Sequence, residues 1–139
     1  MSVTSHPVDQ PVGRADVELR LPADSAYASV LRTTTAGLAA RLDFTMEDIE
    51  DLRMAVGEAN AMVLEHADEG GDLIATFHLA PGRLVVEIAV DAATNPVPDL
   101  DSFAWQVLTT LATSADFEST KGRFVIKMTM TSSVLGAGG

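Results

Sequence analysis

Two turn dipeptides, Pro81-Gly82 and Lys121-Gly122, each sit between runs of strand periodicity and decide most of what this chain can become. Residues 72–80 and 83–90 flank the first turn. In the later run Leu84, Val86, Ile88 and Val90 point one way and Val85, Glu87 and Ala89 the other. Residues 116–119 and 123–131 flank the second turn. Strands joined so tightly must run antiparallel, because a parallel pair needs a crossover of about a dozen residues or more. A further alternating stretch, Ala15–Leu21, predicts an early strand that Pro22 ends.

Three helices fill the gaps. Asp24 or Ser25 can cap a first helix running to Leu42, with Val30, Leu31, Leu38 and Leu42 as its apolar positions. The second is the clearest. Thr45-Met46-Glu47-Asp48 reads as a capping box, and its acidic first turn suits the helix dipole. Ile49, Leu52, Val56, Ala59 and Val63 then recur at spacings of three and four, a stripe that must be buried. Residues 102–113 read as a third helix with Val107, Leu108 and Leu111 inward, after a proline-containing loop over 91–101. The order predicts an α+β fold: a two-layer α/β sandwich whose mixed, mostly antiparallel sheet has its helices on one face. Residues 15–131 are expected to be one domain, with a flexible N-terminal arm over 1–14 and a flexible C-terminal tail over 132–139. That matches a length of 139 residues.

Nine basic against twenty acidic residues leave a net charge of −11, which repels phosphate backbones and suits a basic protein partner instead. Nucleic acid is therefore not expected as a ligand. Zero cysteines remove disulfides and thiolate zinc sites. No apolar run approaches the ~18 residues of a membrane span, and no signal peptide is visible, so a cytoplasmic protein is expected. His6, His66 and His78 lie in an arm, at a helix end and in a strand, so no metal site is predicted. Serine elbows, phosphate loops and dinucleotide fingerprints are all missing from the sequence.

Glu58 is the odd residue. At ~100° per residue it lies opposite the Val56 stripe, beside Met54, Ala61 and Met62. A helix apolar on two sides is covered on both or faces a ligand cavity on the second. Periodicity alone leaves two readings: a partly desolvated carboxylate suited to be a general base, or a glutamate at the solvent boundary among flexible methionines.

The stretch Asp43–Ala67, DFTMEDIEDLRMAVGEANAMVLEHA, resembles the N-box of RsbW-type anti-sigma factors, bacterial protein-serine kinases with the GHKL (histidine-kinase-like ATPase, or Bergerat) fold. The order of elements is also that family's, so the resemblance covers about 16–131. It implies that Glu58 is the family's general base, acting on a partner's serine, and that His66 matches the family's histidine. The family's magnesium-binding Asn falls on Met62, a thioether and a poor ligand for a hard cation. Asn60 is rotated about 200° from Glu58 and cannot substitute. The family's Asp-x-Gly-x-Gly turn reads Val90-Asp91-Ala92-Ala93-Thr94 here, so Asp91 is the implied adenine contact, without the glycines. Its Gly-Leu-Gly-Leu phosphate cradle reads Ser102-Phe103-Ala104-Trp105, which places a Cβ at both glycine positions, Ser102 and Ala104.

The resemblance implies an anti-sigma factor that sequesters a stress or development sigma factor. A STAS-domain anti-anti-sigma protein relieves it, and the family acts as a homodimer. With these boxes altered, ATP-dependent kinase activity is expected to be weak or lost and no cofactor is expected; ATP and magnesium enter only if the site still works. The alternative is an active serine-protein kinase phosphorylating the STAS antagonist. Reuse of the fold for an unrelated regulator is a third possibility.

Overall fold

The computed structural model describes residues 14–134. Strands β1 (Val17–Pro22), β2 (Asp72–Ala80), β3 (Arg83–Asp91), β4 (Ser114–Thr120) and β5 (Arg123–Thr131) form one sheet in the order β1-β2-β3-β5-β4. All of its pairings are antiparallel, so the expected mixed sheet is a purely antiparallel one. Gly82, at φ +71°, and the Lys121-Gly122 pair, at +51° and +83°, take the left-handed backbone that such turns demand.

Helices α1 (Ala28–Ala39), α2 (Met46–His66) and α3 (Phe103–Leu111) cover one face of that sheet. A single core joins Leu31, Leu52, Val56 and Val63 of the helices to Phe77, Val86, Ile88 and Ile126 of the sheet. Val85, Ala89 and Val125 lie on the opposite face and outside that core, yet they too are buried by their neighbours. Among the described residues no helix is long and apolar enough to cross a membrane.

Several expectations shift. Asp24 caps a short 3-10 turn, Ser25–Tyr27, and α1 begins only at Ala28. Val30 faces solvent, whereas Thr35 is fully buried, its hydroxyl donating to the Leu31 carbonyl at 2.8 Å. Buried polar groups survive in a core when satisfied in this way. In α3 it is Trp105 and Leu108 that are buried; Val107 and Leu111 lie at the margin. β4 begins at Ser114, two residues before the predicted start. The arm over 1–14 lies, except for Arg14, outside the described residues. So does the tail beyond Val134, but its first residues are tied down. Ser132 is buried, its N–H donating to Gly82 and its hydroxyl to Asp43, while Ser133 donates twice to Asp48.

Candidate functional site: the space between α2 and α3

α2 starts where the capping box placed it. The Asp48 N–H donates to the Thr45 hydroxyl at 3.0 Å and the Thr45 N–H donates back to the Asp48 carboxylate at 3.1 Å. That fixed start sets the phase of everything downstream. Glu58, Met62 and His66 follow one another at intervals of four along one face of the helix. Glu58 is half-buried, Met54 and Ala61 are exposed, and Met62 is buried as part of the core. The second apolar side of α2 is thus divided: its Met62 end is covered and its Met54 end is open.

α3 packs alongside α2. Ser102 caps that helix, its hydroxyl accepting from the Trp105 N–H at 3.1 Å. From the capped turn the Trp105 side chain reaches inward and meets Phe117 of β4 edge-on, at 6.1 Å between ring centres and 87° between planes. Phe117 lies 6.4 Å from Phe124 of β5, and Phe124 receives His66 edge-on at 5.5 Å and 84°. An aromatic row therefore runs from the end of α2, across two strands, to the start of α3. Edge-to-face pairs of this kind add about 0.5–1.5 kcal/mol each beyond the area they bury. Trp105 is thus part of the core.

Asp91 is elsewhere. The β3 alternation puts Val90, 3% exposed, on the helix side and Asp91 on the far side, in register with Arg123. There it lines a cavity of about 200 Å³ with Arg20, Asp72 and Arg123. The structure does not bring Asp91, the implied adenine contact, to Glu58: it lies on the face of the sheet away from α2. The alternation needed for this was legible in the sequence, since Val90 and Asp91 have opposite parity. The loop after β3 is pinned as well. Ala93 donates to the Asp68 carboxylate at 3.0 Å, Ala92 to the Gly122 carbonyl at 2.7 Å, and Gly122 to the Asn95 side chain at 2.8 Å.

The open end of α2 forms a groove of about 380 Å³ lined by Arg32, Glu50, Arg53, Met54, Gly57, Glu58 and Val107. Glu58 is one of its walls. Ser102 and Ala104 stand at the start of α3, Ser102 with its hydroxyl committed to the cap and Ala104 packed against the core.

This arrangement of helices and sheet has known counterparts. Residues 21–130 match the model of the histidine kinase-like ATPase domain. The chain belongs to that family. Among curated relatives, the ATPase-fold domain is 41% identical over 88 residues to the serine-protein kinase RsbW of Halalkalibacterium halodurans, covering 63% of this chain and 52% of that one. It is 35% identical over 75 residues to the serine-protein kinase RsbW of Bacillus thuringiensis, covering 52% and 47%. The chain thus spans about half the length of the curated relatives it matches. Its fold also recurs within the crystal structure of the RsbU and RsbW domains of a Mycobacterium tuberculosis protein, with a TM-score of 0.65 at 17% identity over 83% of this chain and 31% of that one. A histidine kinase domain from Erythrobacter litoralis gives a TM-score of 0.55 at 12% identity over 91% and 67%. The resemblance read from residues 43–67 is borne out.

Proposed function

We propose that this ATPase-fold domain is a protein-binding switch: an anti-sigma factor that holds a stress or development sigma factor and is relieved by a STAS-domain competitor, with little or no kinase activity of its own. It works in the cytoplasm as a homodimer on this reading. The observation that carries it is the buried thioether of Met62, one turn beyond Glu58 on α2, together with the Trp105 indole buried at the start of α3 against Phe117.

A magnesium-bound triphosphate needs an oxygen donor for the cation and bare backbone N–H groups for the phosphates. The side chains at hand do not fit those needs. A buried thioether stands at 62, apolar Val90 faces the helices where an adenine-binding carboxylate would be wanted, and Ser102 spends its hydroxyl on the helix cap. Phosphoryl transfer relies almost wholly on such positioning and electrostatics, and losing one element commonly costs on the order of 10²–10³ in rate. Binding to a basic partner makes none of these demands, and a net charge of −11 favours it.

Glu58 and the names of the relatives support the other reading, an active serine kinase. One experiment separates them: titration with magnesium-ATP, then transfer of labelled phosphate to a STAS-domain protein, beside a binding assay with the alternative sigma factors of the same genome. The expected result is tight sigma binding without saturable nucleotide binding. Phosphate transfer that disappears in Glu58→Ala would overturn the proposal.

A further inference from the structure

The start of α3 carries an exposed apolar cluster that the filled cleft does not use. Phe103 is 80% exposed, Val97 76% and Leu100 49%, all within seven residues of sequence. A benzyl group left in water at the first turn of a helix forgoes the free energy that burial would return. It is also held in place. The Asp101 N–H donates to the Asp99 carboxylate at 2.9 Å, the Ser102 N–H to the Asp99 carbonyl at 3.0 Å, and the Ser102 hydroxyl caps the helix. An apolar side chain fixed on an ordered turn meets a partner with little further loss of entropy. Phe103 and Val107 share a face of α3, and Val107 lines the groove that Met54 and Glu58 border, so the apolar strip continues towards α2.

Charge identifies the occupant. Asp99 and Asp101 stand in the loop before α3, and no Lys, Arg or His occurs in the sequence between Arg83 and Lys121. Asp99 and Asp101 are exposed and flank Leu100 directly. In the groove itself Arg32 and Arg53 offset Glu50 and Glu58, so the acidic surplus lies at the Phe103 end. We infer that Phe103, with Val97 and Leu100, anchors a basic amphipathic helix of the sequestered partner, whose Lys or Arg side chains lie over Asp99 and Asp101. The helix-in-groove mode supplies the geometry, and the aromatic anchor supplies most of the affinity. This inference rests on the anti-sigma reading for the identity of the partner.

The test measures binding kinetics of the full chain with purified alternative sigma factors of the same genome, comparing wild type, Phe103→Ala and the pair Asp99→Asn with Asp101→Asn. The amide oxygen introduced by Asp99→Asn would still accept from the backbone N–H of residue 101, so the turn keeps its hydrogen bond. Phe103→Ala should weaken binding about tenfold or more through faster dissociation, with an unchanged thermal midpoint because the ring is outside the core. The double variant should slow association several-fold. If wild type binds a sigma factor and Phe103→Ala binds it equally well, this surface is refuted while the anti-sigma reading stands. If wild type binds none, both fail. If Phe103→Ala instead dissociates a homodimer in sedimentation, a second copy is the occupant and the inference is overturned.

Discussion

Asp48 ties two parts of the molecule together through one carboxylate. It accepts from the Thr45 N–H at the start of α2 and from the N–H and hydroxyl of Ser133, beyond the last strand, each at 3.0–3.1 Å. Burial pushes its pKa up, but the hydrogen bonds from Ser133 and Thr45 outweigh burial and hold it below its ordinary value of 3.8. A depressed folded value means that the contribution is complete above the unfolded pKa. It is lost as pH falls through the folded one. Asp48→Asn should therefore cost about 1 kcal/mol at pH 7, the usual worth of such a cap, and the gap from wild type should close as pH drops below 3.8. Urea unfolding of both proteins at several pH values measures this. A gap that stays constant into acid would mean that the charge contributes nothing.

At the scale of elements, the sequence made legible whatever local chemistry decides. The turn dipeptides and the capping box of α2 are such cases, because hydrogen bonds over a few residues fix them. The early start of β4 was not legible, because Ser114 and Ala115 have no strand pattern of their own and pair with Thr129 and Met128 across the sheet. Likewise α1 stops at Ala39 although apolar residues run on to Leu42, as the Ala40, Arg41 and Leu42 N–H groups close a final turn on α1 carbonyls. In the candidate site the identities at 58, 62, 102 and 104 were legible. The aromatic row was not, since it joins residues up to 58 positions apart, from His66 to Phe124. Two variants test the site. Met62→Asn would supply the missing oxygen donor but bury an amide in an apolar core. It should lower stability by about 1–3 kcal/mol in denaturant unfolding and leave calorimetric magnesium-ATP binding undetected, with Trp105 and Val90 still in place. Trp105→Ala should cost about 3–5 kcal/mol, because α3 would lose its principal hold on the sheet.

For the whole molecule the dominant fact is a charge of −11 on 139 residues. The ion pair of Arg20 with Asp72, at 2.9 Å, is exposed and adds little to stability. On the anti-sigma proposal the charge acts as a field on the partner before contact, one that speeds encounter with a basic surface. Raising salt from about 0.1 M to 1 M shortens the screening length from about 10 Å to about 3 Å. On that proposal association with a sigma factor should then slow by roughly tenfold, whereas dissociation, governed by apolar anchors at short range, should change little. Stopped-flow mixing over a salt series reads both rates directly. Salt that instead accelerates dissociation and spares association would place the attraction in close ion pairs at the interface, and the field of the molecule would have no part in finding its partner.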